Sequence, residues 1–300
     1  FRTPLTLISH AINEIAEDED ICTNKYVNII KHNTGKLSNM VNELLDFHRV
    51  EVKSAQLRTT YTSIPEYVSD IYEEFKGWAE ASDIHVNLQI DNPEIGMWID
   101  PEHFGKILSN ILSNSIRYSH AGSEINIQVA KGYVNDIVPR YKDSFWNTKD
   151  MIPGEQAIIR VSDTGIGMEK AVLPTIFKRF HQVQNNTGKQ HTGSGIGLSL
   201  VKSLIELHHG GIIISSKPDA GTEVIIALPI SDTYLAKEEK IEESTFVLKD
   251  YLSNYAVEYE PLEIEETTAI YMEGKPTILL VDDNHEILMI LREYFVKDYN

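Results

Sequence analysis

Three groups of residues have types and spacings suited to phosphate chemistry. Asn110, Asn114 and Arg117 stand at i, i+4 and i+7, which on a helix is one face, while Phe104, Leu108, Ile111 and Leu112 lie towards the other side. Carboxamide oxygens are hard ligands suited to Mg²⁺, which keeps waters and phosphate oxygens as its remaining ligands, and a guanidinium fork matches a phosphate. A merely solvated face would carry Glu and Lys. Two glycine-rich stretches complete the set, Asp163-Thr164-Gly165-Ile166-Gly167-Met168 and Gly193-Ser194-Gly195-Ile196-Gly197-Leu198. In the second, backbone amides can approach a polyanion, and the run enters an apolar helix whose N-terminus favours negative charge. It is neither the dinucleotide fingerprint, because its third glycine follows the second by two residues rather than three, nor a P-loop, because no Lys-Ser/Thr follows. Taken singly, each glycine stretch is also compatible with a tight turn, and the two asparagines with surface or capping amides.

The elements that must position these residues follow from periodicity. Leu5, Ile8, Ile12 and Ile15 form an apolar helical stripe that begins just after Pro4, and Glu17-Asp18-Glu19-Asp20 breaks it. A second stripe runs from about Tyr26 to Glu51 through Ile30, Leu37, Val41, Leu44 and Phe47, so the opening reads as a helical hairpin. A lone hairpin buries little, and a second copy would cover both stripes in a four-helix dimer, the alternative being packing on the rest of its own chain. Helical patterns recur over 68–80, 101–118 and 201–207. Strand patterns fall at 86–90, 125–129, 157–161, 212–216 and 223–228. Helices among hairpin-spaced strands predict an α+β sandwich with a mixed sheet.

Residues 231–276 hold twelve Asp/Glu against four Lys, a net of −8 without sustained period, and read as an acidic linker whose Phe246 and tyrosines could dock on a neighbour. Thr277 to Val281 then reads as a buried strand ending in Asp282-Asp283, followed by a helix through Ile287, Leu288, Leu291 and Phe295. The expected divisions are 1–55, 56–231, 232–275 and 276–300.

Composition narrows the function classes. Among 300 residues the apolar share is 42% and the charged share 24%, which suits a globular chain. The net charge of −18 repels phosphate backbones and anionic lipid, so nucleic-acid or membrane binding by this segment is not expected. No apolar run approaches the ~18 residues of a membrane span. A single cysteine, Cys22, allows no internal disulfide and no zinc site, which fits a reducing, cytoplasmic setting. The chain starts at Phe1 rather than Met and ends inside an apolar-periodic segment, and so reads as part of something longer.

Together these motifs resemble one family, the bacterial sensor histidine kinases with their Bergerat-type ATP-binding domain. Asn110 to Tyr118 resembles the N box, Asp163 to Gly167 the first glycine box, Ile176-Phe177-Lys178-Arg179-Phe180 the F box, Gly193 to Leu198 the second glycine box, and Ala220 to Glu223 the segment that closes the adenine pocket. The resemblance implies ATP and Mg²⁺ as cofactors. Asn110 and Asn114 would hold the metal and phosphate oxygens, Arg117 would neutralise phosphate, and Tyr118 would lie beside adenine. Asp163 would accept the adenine amino group, Gly165 and Gly167 would let backbone near the base, and Thr222 would bond it through water. Gly193, Gly195 and Gly197, with Leu198, would cradle the triphosphate under a lid from about Glu169 to Thr192 that includes Phe180. Gln182 stands where many members have a basic residue, which leaves Lys189 and His191 as substitutes.

Phe1-Arg2-Thr3-Pro4-Leu5 resembles the end of the H box. The phosphoacceptor histidine would lie two residues before Phe1, His10 reads as an ordinary helix histidine, and Thr3 falls where the family has the polar residue that orients water for dephosphorylation. Asp282 and Asp283 resemble the Mg²⁺-binding pair of a receiver domain, whose phosphoacceptor aspartate would lie beyond Asn300. The implied protein is the kinase core of a hybrid two-component sensor, a homodimer through its hairpin, with a receiver in cis or trans as partner and a parent chain compatible with a membrane anchor. This fragment would not autophosphorylate. The rivals are a nucleotide-gated, non-catalytic dimeric module and an ATPase of the topoisomerase or chaperone type.

Overall fold

The computed structural model describes residues 23–51, 56–179 and 195–242, most of 244–252, parts of 274–300, and Leu5, Ile8 and Ile12. They fall into two compact units, one holding residues 42–183 and 193–254 and the other the remainder.

In chain order the elements are α1 (Thr23–Glu51), β1 (Thr60–Ser63), α2 (Ile64–Ala81), β2 (His85–Ile90), β3 (Gly96–Ile99) and α3 (Pro101–Arg117). After these come β4 (Glu124–Gly132), β5 (Ser144–Asn147), β6 (Gln156–Asp163), α4 (Gly197–Leu207), β7 (Gly211–Lys217) and β8 (Gly221–Pro229). Six strands form one sheet in the order β2-β4-β6-β8-β7-β5, and β1 pairs with β3 as a separate ribbon. The β2–β4 pair is parallel and the other sheet pairs are antiparallel, so the expected mixed sheet of an α+β fold is present.

Local chemistry explains where the helices start. α2 and α3 both open with proline in the first turn, which costs no hydrogen bond there because that N–H has no intrahelical partner. Asp100 caps α3 by accepting the His103 N–H (3.1 Å) on one carboxyl oxygen and takes the Arg58 N–H (2.9 Å) on the other. The helices bury Ile64, Ile71, Phe75, Phe104, Ile107, Leu108, Ile111, Leu200 and Leu204. Burying side chains of this size contributes about 1.5–3 kcal/mol each, which outweighs the modest propensity of the β-branched residues for helix.

The chain between β4 and β6 departs from a simple hairpin. Residues 133–155 leave the sheet, return to add β5 beside β7, and bury Ile137 in one cluster with Ile158, Ile213 and Ile225, with Val134 packed against it. The acidic stretch also differs from a free linker over its first part. The Thr59 N–H donates to Glu239 O (2.7 Å), the Ile241 N–H donates to Thr59 O (2.9 Å), and Leu235 and Leu252 are buried. Its apolar residues hold it to this unit although its net charge is acidic.

The strand expected over Thr277–Val281 is not formed. Leu279 is 87% and Val281 82% exposed, and the Ile278 N–H donates to Asn300 O (3.0 Å) rather than into a ladder. A strand exists through its neighbours, and among the described residues this run is bonded to Asn300 without a strand alongside it. Leu288, Leu291 and Phe295 are helical, as expected. The N-terminal stripe is helical at Leu5, Ile8 and Ile12, with Leu5 and Ile12 exposed, and α1 spans the whole second stripe. The turn expected at 17–20, Thr3, Cys22, Asp282 and Asp283 lie outside the described residues. No described helix is long and apolar enough to cross a membrane.

Candidate nucleotide site

Asp163 ends β6 and is 7% exposed. Its Oδ1 accepts two backbone N–H groups, from Gly165 (3.0 Å) and Thr222 (3.0 Å), and Ser115 on α3 also bonds the carboxyl. Burial nevertheless pushes the carboxyl above its ordinary range, against the pull of those bonds and of the Arg140 charge. A buried carboxylate held rigid in this way favours any further donor that reaches it, and an exocyclic amino group is such a donor.

Sheet register brings Thr222 to Asp163. Ser162 pairs with Glu223, so β8 starts where β6 stops. Gly221 at this junction has φ +113°, and a Cβ there would run into the Asp163 carbonyl, so only glycine fits. Ser216 on β7 ties the junction further. Its Oγ donates to Gly221 O (2.9 Å), accepts the Met168 N–H (2.8 Å) and lies 2.9 Å from Thr222 Oγ1. The first glycine stretch is anchored from the α3 side as well. Tyr118 O accepts the Ile166 N–H (3.0 Å), and Thr164 exchanges bonds with the backbone of Glu124.

The other half of the site is α3 and the start of α4. Asn110 is 6% exposed, and its Nδ2 donates to Lys106 O (2.9 Å). That bond fixes the amide so that Oδ1 faces Gly197 closely enough to exclude any side chain there. A hard oxygen is thus presented at the first residue of α4, where the positive end of the helix dipole favours an anion. Asn114 and Arg117 follow on the same face and are half-buried, as is Leu198. This donor set fits Mg²⁺ held jointly with a polyphosphate, since amide oxygens supply few ligands and leave the rest to phosphate and water. Among the described residues no cluster of three His, Cys, Asp or Glu could hold a metal without such help.

The predicted residues therefore assemble in part. Asp163, Gly165, Gly167, Gly221 and Thr222 meet at the ends of β6 and β8, with the Tyr118 main chain beside them. Asn110 meets Gly197. Gly195, with φ +67°, leads into α4. Phe180, Gln182, Lys189, His191 and Gly193 lie outside the described residues. Phe177 packs against Phe145 of β5, ring centroids 5.3 Å apart, and Arg179 lies over the Phe47 ring of α1 at 4.3 Å.

Sequence reading passed over several residues that support the site. Ser216 was hidden in an apolar strand, where its only mark is a hydroxyl at a buried position. Lys106, one turn before Asn110, pairs with Asp46 of α1 (2.5 Å) and Glu102 (2.7 Å). Burial acts to lower its pKa, but these two hydrogen bonds raise it on balance. Behind α3, His208 is fully buried, accepts the Asp100 N–H on Nε2 (3.4 Å) and pairs Nδ1 with Leu204 O (2.7 Å). Burial, with His103 nearby, takes it down to about 4.

Comparison with known proteins gives this arrangement a context. Residues 99–232 match the histidine kinase-, DNA gyrase B- and HSP90-like ATPases. The matched span contains both halves of the site, and an ATPase domain implies ATP binding. Over its whole length the chain is similar to histidine kinase P4 of Formosa agariphila, at 27% identity across 309 aligned residues that cover 21% of that protein. The chain spans 15–35% of the length of such curated relatives. In fold it resembles Acinetobacter baumannii histidine kinase AdeS, with a TM-score of 0.56, 19% identity and coverage of 77% of this chain and 97% of that one. It also resembles histidine kinase ThkA in complex with response regulator protein TrrA, with a TM-score of 0.53, 20% identity and coverage of 77% and 58%. The matched span thus carries the assembled site and five of the six strands of the mixed sheet.

Proposed function

We propose that the chain is the ATP-dependent protein-histidine kinase core of a hybrid two-component sensor. The observation that carries this reading is the pairing of a buried, amide-held Asp163 with an Asn110 oxygen aimed at the N-terminus of α4, inside a span that matches the ATPase family. Asp163 receives the adenine amino group and Thr222 bonds the base through water, with Tyr118, Gly165 and Gly167 beside it. Asn110 and Asn114 hold Mg²⁺ with the phosphates, and Arg117, Gly193, Gly195, Gly197 and Leu198 surround the triphosphate. Phe180 belongs to the covering segment, and Lys189 or His191 supplies the charge that Gln182 lacks. Bound Mg²⁺ would neutralise the phosphate charge that builds up as the γ-phosphoryl leaves. The chain's own contribution is positioning and fixed dipoles.

In this reading residues 1–55 form the dimerisation hairpin, 56–231 the catalytic domain, 232–275 the acidic connection and 276–300 the start of a receiver domain with Asp282 and Asp283 as its metal pair. The phosphoacceptor histidine precedes Phe1, Thr3 supports dephosphorylation of the partner, and the chain is the cytoplasmic part of a membrane-anchored sensor. Relatives that are histidine kinases, and one solved as a complex with a response regulator, support this assignment. The test is a thermal shift with an ATP analogue and Mg²⁺. A stabilisation that disappears in Asn114→Ala is expected, and no shift in the parent protein would sink the assignment of the site.

A further inference from the structure

The segment 133–155 belongs to none of the motifs, and in the site described above it enters only through the Arg140 charge near Asp163 and the packing of Phe145 on Phe177. Its residues nevertheless reach the base half of that site from outside. The Tyr141 hydroxyl donates to Ala220 O (2.6 Å), the carbonyl just ahead of the Gly221–Thr222 junction. The Tyr141 N–H donates to Ser215 Oγ (3.3 Å), and the Arg140 N–H donates to the buried carboxylate of Glu223 (2.7 Å). Glu223 is further held by Arg160 (3.2 Å) and Ser215 Oγ (3.1 Å), so the backbone at residue 140 is tied to the strand that carries Thr222. The side chain of Arg140 packs over the Tyr141 ring at 5.4 Å. Burial chiefly, with the carboxylates of Asp163 and Glu223, raises the Tyr141 pKa, which keeps its hydroxyl a donor.

We infer that Tyr141 is a positioning residue of the nucleotide site, which sets the adenine selectivity of Asp163 by holding the 220–222 turn in place. The chain of contacts is short. Tyr141 fixes the Ala220 carbonyl, the next residues turn through Gly221 at φ +113°, and the Thr222 N–H then meets Asp163 Oδ1 at 3.0 Å. With the hydroxyl removed, the turn can shift by a few tenths of an ångström. Asp163 then loses part of the amide support that orients its other oxygen. The triphosphate contacts, made on α3 and α4, are untouched. Tyr141 therefore acts on the base and leaves the phosphates alone. This inference rests on the nucleotide reading of the site and adds to it a residue that the motifs do not contain.

The test compares binding of ATP and of inosine triphosphate, each with Mg²⁺, to the parent protein and to Tyr141→Phe. Inosine triphosphate lacks the amino group that Asp163 receives. Tyr141→Phe is expected to weaken ATP about 3- to 10-fold, the scale of one lost hydrogen bond, and to leave inosine triphosphate within about twofold, so that the preference for adenine shrinks. In an Asp163→Asn background the same substitution is expected to change ATP binding little, because the two residues act in series. Partial unfolding would lower the binding-competent fraction for both nucleotides alike and leave their ratio unchanged, so the ratio separates positioning from general support. A parent protein that binds ATP, with Tyr141→Phe showing the parental ratio, overturns the role of Tyr141 alone. A parent protein that binds neither nucleotide overturns the site assignment itself.

Discussion

The two halves of the site are built by different means. The base half lies where two antiparallel strands end together, and nearly every polar atom named there is held by a main-chain partner: Asp163 by two amides, Ser216 by Met168 and Gly221, Tyr141 by Ala220. The phosphate half lies on one face of α3 and the tip of α4, where a side-chain bond, Asn110 to Lys106 O, orients the amide that faces Gly197. A base is flat and must be recognised in one orientation, so rigid strand ends suit it. A polyphosphate is recognised through charge and amide dipoles, and a helix face with a helix N-terminus suffices. The two halves should therefore fail differently when perturbed.

The largest effect is expected at the strand junction. Gly221→Ala forces a Cβ against the Asp163 carbonyl at a positive φ, and should lower the unfolding free energy by about 2–4 kcal/mol in denaturant titrations and abolish nucleotide binding. Gly122→Ala, which also has a positive φ but meets open space, should cost only about 1 kcal/mol. Equal losses at the two positions would remove the argument that the base half is rigid because it is crowded.

On the phosphate side, Asn110→Ala should weaken Mg·ATP roughly 100-fold while costing about 1 kcal/mol of stability, because the oxygen ligand lost to Mg²⁺ is worth more than the bond to Lys106 O. Binding and stability thus separate here, whereas they fall together at Gly221. A calorimetric titration beside a urea melt would show whether they do.

Asp163→Asn sharpens the contrast in the opposite direction. The carboxamide oxygen can keep both amide bonds while the buried charge disappears. Because burial raises the folded carboxyl above its unfolded value, the ionised form costs stability at neutral pH, and that cost fades as pH falls through the raised pKa and the carboxyl protonates. The variant should accordingly be at least as stable as the parent at pH 7, the two should converge in acid, and ATP should weaken about 30-fold through the lost charge-assisted bond. A variant less stable than the parent at pH 7 would contradict the account of Asp163.

The effect most remote from the nucleotide concerns the support of α3. His208 is buried and neutral, with its pKa depressed to about 4, and burial lowers His103 as well. A depressed histidine contributes stability that is present above its unfolded value of about 6.5 and is lost as pH falls towards the folded value. For His208 stability should decline between roughly pH 6.5 and 4 by up to about 1.4 kcal/mol per pH unit, and His208→Gln should flatten that slope in urea melts.

Sequence made the motif residues legible because each is demanded by something local. Asn110, Asn114 and Arg117 share a helix face by spacing alone, and Gly165 and Gly197 occupy close approaches that admit no side chain. Partners joined only by sheet register were not legible. Tyr141 and Ala220 are 79 residues apart, and nothing between them announces that β5 folds back onto β7. Local pattern alone also could not supply neighbours for Thr277–Val281. Four apolar residues in a row after Thr277 satisfy a buried-strand template, but a strand needs a ladder, and this run pairs only with the backbone of Asn300. In the acidic stretch the charge is legible, but the burial of Leu235 and Leu252 and the backbone bonds to Thr59 are not, because their partners are distant in sequence.

The central claim is that this site directs the γ-phosphoryl of ATP to a histidine. The most direct measurement is incubation of the full-length protein with γ-labelled ATP and Mg²⁺, followed by acid and alkali treatment of the labelled chain. The account predicts a protein-bound label, of which the histidine-borne fraction is lost in acid and retained in alkali, and which is absent in both Asn110→Ala and Asp163→Asn. Release of free labelled phosphate with no label on the protein would contradict it and would assign the site to an ATPase instead.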